Sequence, residues 1–142
     1  MIIKSRFIIL LSFLIFFVSG LCGQQDYHTA KMISGKGKKC YEKALKYYQS
    51  DQIDKALEYF KKSLDVYPDL IDAHLRIGAI FYEKKQYDDA ANSFNQTLKL
   101  DEEYDNRIYF SLANIYREDH KYNLAAENYH KFITRAEKDT EV

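Results

Sequence analysis

The sequence repeats itself. Ala44, Gly78 and Ala113 are 34 and 35 residues apart, and so are Ala56, Ala90 and Ala125. Phe60, Phe94 and Tyr129 keep the same interval, as do Tyr47, Phe81 and Tyr116. One extra residue near Asp105 accounts for the longer second step. Four positions held in one phase at this interval are the signature of a chain built by stacking one small structural unit upon another. A repeat constrains the fold more than composition does, because every unit must solve the same packing problem.

Inside each unit the apolar residues step by three and four, as one face of an α-helix requires. Ile53, Ala56, Leu57, Phe60 and Leu64 form such a face. Tyr87, Ala90, Ala91, Phe94 and Leu98 copy it, and so do Tyr122, Ala125, Ala126, Tyr129 and Ile133. An earlier helix in each unit has its own face: Cys40, Ala44 and Tyr47; His74, Ile77, Gly78 and Phe81; Tyr109, Leu112, Ala113 and Tyr116. No period-two run is long enough for a strand. Pro68, the only proline, follows a helix end, where the chain must turn. The fold expected is all-α, a solenoid of three helix-turn-helix units with about six antiparallel helices, over residues 37–70, 71–104 and 106–139. A glycine inside a helix costs about 1 kcal/mol relative to alanine. Gly78 is therefore expected where the two helices of a hairpin cross, with Phe81 and Phe94 filling the space beside it.

The N-terminus reads differently. Residues 1–22 have a short basic start (Lys4, Arg6), an apolar run from Phe7 to Val18, and small residues after it. That order fits a secretory signal peptide, and the run is shorter than the ~20 residues of a spanning helix. Cys22 makes the segment partly similar to bacterial lipoprotein leaders and is a candidate lipidation site, although Leu21 stands where that family has a small residue. The expectation is an exported protein, periplasmic or outer-membrane-associated in a bacterium, touching the membrane only through this segment. Residues 23–36 read as a linker, and "SGKGKK" at residues 34–39 as a flexible basic lead-in that lacks P-loop spacing.

Two of the 21 basic side chains lie in the leader, leaving 19 against 21 acidic ones, a net charge near −2. That balance argues against a nucleic-acid surface. With two cysteines there is no disulfide framework, so an apolar core must hold the fold. The 13 tyrosines and the five phenylalanines outside the leader supply much of it, in the absence of tryptophan.

Nothing in the sequence points to catalysis, a metal or a cofactor. His28, His74, His120 and His130 have no metal-ligand spacing. His74 is expected in the core, His120 in a turn and His130 on a solvated face. Asp88 and Asp89 open a helix, where carboxylates suit the dipole. Asn95–Thr97 fits a glycosylation acceptor but sits mid-helix.

The repeats resemble the tetratricopeptide family, whose unit is a 34-residue helix-turn-helix. Ile77, Gly78, Phe81, Ala90 and Phe94 stand at its signature positions in the second unit. Ala44, Tyr47, Ala56, Phe60 and Pro68 match in the first, and Leu112, Ala113, Tyr116, Ala125 and Tyr129 in the third. Cys40 and His74 replace its tryptophan, Lys43 a buried leucine, and Phe132 a small residue. The resemblance implies a concave groove, lined by the first helix of each unit, that binds a protein or peptide partner. Carried over position by position, the groove residues are Tyr41, Leu45 and Tyr48; Leu75, Ala79 and Tyr82; and Phe110, Asn114 and Arg117. Tyr41 and Leu45 take the places of the lysine and asparagine that clamp a terminal carboxylate in chaperone-binding members, so that clamp does not carry over.

Two roles follow as expectations. The first is a non-enzymatic exported adaptor holding a peptide or helix of an envelope protein. The alternative is a structural spacer or oligomerisation module that self-associates through its C-terminal hairpin, where Phe132 and Ile133 are left partly uncovered. The layout of leader, three repeats and charged exit is also similar to the start of exported Bacteroidetes-type proteins, in which a β-propeller and a peptidoglycan-binding domain follow.

Overall fold

The computed structural model describes residues 27–140. The leader, Cys22 and the first part of the expected linker lie outside the described residues. Six helices follow in order: α1 (Gly35–Gln49), α2 (Ile53–Leu64), α3 (Ile71–Glu83), α4 (Tyr87–Leu100), α5 (Arg107–Glu118) and α6 (Tyr122–Thr140). They pair as α1–α2, α3–α4 and α5–α6, and each hairpin packs on the next through α2–α3 and α4–α5. Among the described residues there is no strand, only one parallel bridge between His28 and Leu70.

Each hairpin turns in the same way. The N–H groups of Gln52, Gln86 and Lys121 donate to the carbonyls of Tyr47, Phe81 and Tyr116 at 2.9, 2.9 and 2.7 Å. The residue before each donor is left-handed: Asp51 (φ 57°), Lys85 (φ 58°) and His120 (φ 59°). This is the Schellman closure of a helix C-terminus, which satisfies the last carbonyls by reversing the chain's hand at one residue. The three turns obey the same period as the packing residues. His120 lies in its turn, as its place in the sequence suggested.

Small residues line the helix crossings. Ala44, Ala56, Ala90 and Ala113 are fully buried. A Cβ added to Gly78 would come within 3.1 Å of the Phe94 ring. The closeness that glycine permits is therefore filled by an aromatic ring of the partner helix, and the extra contact offsets the helix penalty. Two core clusters result. One gathers Tyr41, Ala44, Ala56, Phe60, Leu70, Ala73, Ile77 and Ile80. The other gathers Ala90, Ala91, Phe94, Ile108, Leu112 and Ile115.

Side-chain bonds lace successive hairpins on the turn side. Lys84 Nζ donates to Asp54 at 2.6 Å, and Lys121 Nζ to Asp88 at 2.8 Å. Asp54 and Asp88 occupy equivalent places 34 residues apart. Lys43 is exposed, as a first repeat with an open outer side allows. Its ammonium donates to the Tyr59 hydroxyl at 2.9 Å and lies 4.4 Å from that ring's centre.

Several sequence expectations change. Residues 27–33 are not a free linker: Tyr27 and Ile33 are buried, and Ile33 belongs to the first core cluster. The stretch at residues 34–39 is not a loose lead-in, because α1 already begins at Gly35. Gly37 is buried there, and a Cβ on it would lie 2.5 Å from the Tyr67 ring. His74 is only half-buried, and its Nε2–H donates to the Pro68 carbonyl at 2.9 Å, bracing the turn between α2 and α3. Tyr122 and Ala126, assigned to an inner face by analogy with Tyr87 and Ala91, are exposed. Among the described residues no hairpin follows α6 to cover them.

Candidate peptide-binding groove

The groove positions are set by the first helices of the hairpins, α1, α3 and α5. Residues three and four apart share a helix face. Leu75, Ala79 and Tyr82 thus form one stripe of α3, and Asp72 continues it by one turn toward the N-terminus. Phe110, Asn114 and Arg117 form the stripe of α5.

At the open end of the groove two aromatic rings reach solvent. Tyr82 is 37% exposed and Phe110 45%. The Phe110 ring is supported from behind by α6, edge-on to Tyr129 at 5.9 Å and tilted against Phe132 at 5.4 Å. Tyr129 donates its hydroxyl to Asn114 Oδ1 at 2.7 Å, which fixes the amide and leaves its NH2 group for other partners. Arg117 is exposed and donates to Glu118 at 2.9 Å. The Glu118 hydrogen bond, with the nearby Tyr129 phenol, holds its guanidinium above the usual range. An exposed surface pairing aromatic faces with a cation and an amide suits contact with another chain.

The α1 and α3 stripes are less open. Leu45, Leu75 and Ala79 are half-buried. The Tyr48 hydroxyl donates to Glu83 Oε1 at 2.7 Å, linking α1 to α3 and holding that phenol above its usual ionisation range.

Tyr41 departs from the expectation. It is buried, with its ring edge-on to Phe60 at 5.4 Å, and it shares a core cluster with Ile33. Burial and the facing Asp72 carboxylate raise its phenol above the usual range, with Arg76 working against both. Tyr41 is a core residue and not an exposed contact, sharing its cluster with Ile33 of the segment before α1.

That segment and its neighbours carry polar groups that the sequence pattern did not reveal. The Tyr27 hydroxyl donates to Asp101 Oδ2 at 2.7 Å. The Ala30 N–H donates to Asp72 Oδ2 at 2.6 Å, and Tyr104 donates to Asp72 Oδ1 at 3.3 Å. Burial, then the Asp72 charge, pushes the Tyr104 phenol up to about 12. The only available signal was three isolated aspartates, Asp69, Asp72 and Asp101, which show no helical period of their own.

Pro68 is exposed at its turn. Tyr47, Phe81, Tyr116 and Tyr129 are half-buried at hairpin edges, and Ala125 is buried. Among the described residues no cluster of three histidine, cysteine or carboxylate side chains is placed to hold a metal. None of their helices is long and apolar enough to cross a membrane.

Residues 47–115 match the family model described as tetratricopeptide repeat. No curated protein sequence matches the chain. Among solved structures, one of MamA superposes with a TM-score of 0.70 at 16% identity, over 75% of this chain and 61% of that one. The first repeat domain of Spaghetti (RPAP3), bound to the HSP90 peptide SRMEEVD, gives 0.63 at 19% identity, covering 70% and 78%. The Yersinia enterocolitica type III secretion translocator chaperone SycD gives 0.63 at 21%, covering 70% and 75%. The chain spans about three fifths of the length of the MamA structure. Residues 47–115 carry the tetratricopeptide repeat pattern, and over most of the chain the fold is that of a tetratricopeptide-type helical-hairpin solenoid.

Proposed function

We propose that this protein is a non-enzymatic adaptor that holds a peptide or a helix of another protein in the groove formed by α1, α3 and α5. The observation that carries this reading is the exposure of Tyr82 on α3 and of Phe110 and Arg117 on α5. The Spaghetti (RPAP3) domain, similar in fold, is bound to a peptide, which supports a peptide as the occupant. The terminal-carboxylate clamp is not part of the proposal, since buried Tyr41 and half-buried Leu45 stand at those positions. Panning a random peptide library on the intact protein tests it. Peptides selected on the native chain should lose at least tenfold in affinity to a Tyr82→Ala, Phe110→Ala variant that melts within a few degrees of the native protein. Undiminished binding to that variant refutes the groove as the site.

The proposed setting is the envelope of a bacterium, reached through the leader at residues 1–22, with cleavage or lipidation near Cys22. This part rests on the sequence alone, and the mass of the mature N-terminus tests it. A larger envelope protein of which these repeats form the front part fits the same setting.

A second reading, self-association or spacing through the last hairpin, is favoured by the uncovered side chains on α6. Tyr122 is 62% exposed, Ile133 53% and Leu124 42%. Light scattering would detect a dimer that Leu124→Glu with Ile133→Glu dissolves. A native chain that remains monomeric at high concentration removes this alternative.

A further inference from the structure

The segment Tyr27–Ile33 is held to the repeats as a bound peptide would be. The His28 N–H donates to the Asp69 carbonyl at 3.0 Å, and the Ile71 N–H donates to the His28 carbonyl at 2.9 Å, forming a short parallel bridge beside Leu70. The His28 Nδ1–H reaches Asp69 Oδ2 at 2.7 Å, and the His28 ring tilts against Tyr67 at 4.9 Å. Ala30 N–H bonds Asp72, and Tyr27 bonds Asp101 while its ring meets Tyr104 edge-on at 6.0 Å. Main-chain bonds to one edge plus side chains in separate pockets is the way folded domains capture extended segments. Asp72 lies one turn before Leu75 on the α3 stripe, so the strap occupies the N-terminal end of the groove.

We propose that Tyr27–Ile33 is a built-in ligand, and that the seat beneath it accepts in its place an extended segment of a partner protein bearing an aromatic residue followed directly by a histidine or a cationic side chain. The seat specifies that pattern. Asp101 and the Tyr104 ring take an aromatic hydroxyl, Asp69 takes the N–H donor of the side chain next to it, and Asp72 takes a main-chain N–H two residues on. Three carboxylates converge on a segment that carries His28 and Lys31 and no acid. The proposal rests on reading the groove as a binding surface and adds a second compartment to it, with the strap deciding which compartment is open. A tether of this kind gives the strap a high effective concentration, on the order of millimolar. A free peptide therefore competes poorly until the strap is weakened.

The test uses a fluorescein-labelled peptide of residues 27–34 and the intact chain. Tyr27→Ala with His28→Ala in the chain should raise peptide affinity at least tenfold over the native protein, by fluorescence anisotropy. Adding Asp69→Asn and Asp72→Asn should remove that gain, as should placing glutamate at the histidine position of the peptide. If the double alanine variant loses its helical melt, Tyr27→Phe with His28→Ala loosens the strap while keeping the ring. Equal binding to native and loosened chains, or no binding to either, overturns the proposal. Tyr82→Ala with Phe110→Ala, which tests the groove itself, should leave strap-peptide binding unchanged. The two readings therefore fail separately.

Discussion

Gly78 offers a direct test of how these hairpins are held. Replacing it with alanine has two opposed effects. Alanine is favoured over glycine in a helix interior by about 1 kcal/mol. Its Cβ, however, would sit 3.1 Å from two atoms of the Phe94 ring and 3.3 Å from a third. Phe94 is buried at the centre of the second core cluster among Ala90, Ala91, Ile108 and Leu112, so its ring has little room to withdraw. Overpacking a filled core costs about 1–3 kcal/mol. The net expectation for Gly78→Ala is a loss of about 0–2 kcal/mol, and Gly78→Leu falls toward the upper end of the overpacking range. A double-mutant cycle separates the two effects. Phe94→Leu removes the obstructing ring at a cost of its own. In that background Gly78→Ala should become stabilising by about its helix preference, roughly 1 kcal/mol. The coupling energy should then be about 1–3 kcal/mol, the size of the relieved clash. Urea denaturation followed by helical circular dichroism measures all four corners. If Gly78→Ala stabilises the native-background protein as much as it does the Phe94→Leu protein, the two residues do not meet and the crossing is wrongly assigned.

Four further outcomes can be checked in the same assay or by simple melts. Lys85→Gly and His120→Gly each relieve a left-handed non-glycine residue, worth about 1–2 kcal/mol of strain less the entropy glycine loses, so each should raise stability by about 0.5–1 kcal/mol. Gly37→Ala should destabilise, since the added carbon would fall 2.5 Å from the Tyr67 ring and break that ring's seat beside Ser34; no change in melting temperature would contradict this. Asp105, the residue before the α5 N-cap, accepts the Arg107 N–H at 2.9 Å, and the Arg107 guanidinium beside it holds its carboxyl below the usual aspartate value of 3.8. Its contribution is present above that value and is lost as pH falls through the lower folded-state pKa, so Asp105→Asn should keep most of that hydrogen bond, worth about 1 kcal/mol, while flattening acid destabilisation below pH 3.8. The Tyr104 phenol is raised to about 12, so the folded state holds its proton longer than the unfolded chain; stability should fall between about pH 10 and 12, and Tyr104→Phe should reduce that alkaline slope.

What the sequence discloses is what repeats. The hairpins, their order and the small residues at their crossings are legible because one packing geometry recurs three times. The left-handed turn residues recur in the same phase, yet Asp51, Lys85 and His120 hide the fact, since none is glycine and only their spacing links them. The strap was illegible for the opposite reason. Its bonds are single events that join residues far apart, such as Tyr27 and Asp101, through hydroxyls, carboxylates and main chain rather than an apolar period. Tyr41 is hidden from the pattern for a like reason: Ile33, from the segment before α1, joins its core cluster.

The third hairpin shows how an individual residue departs from the repeat when its surroundings change. Ser63 and Thr97 hold one position in the first two hairpins, both fully buried and small. The equivalent residue of the third is Phe132, half-buried, with its ring against Phe110. Its carbonyl also accepts from Asn106 Nδ2 at 3.0 Å, tying α6 to the start of α5. A small side chain serves where two layers must approach, and a large ring serves where α6 has open space beside it. The same ring backs Phe110, the more exposed of the two aromatics proposed to meet a partner, so the residue that breaks the repeat pattern also props that side chain. Phe132→Ser, which restores the repeat's own choice, should therefore free the Phe110 ring and weaken binding of groove-selected peptides. A Phe132→Leu variant keeps most of the volume and should retain it. Equal affinities for the two variants would mean that Phe110 holds its place without support from α6.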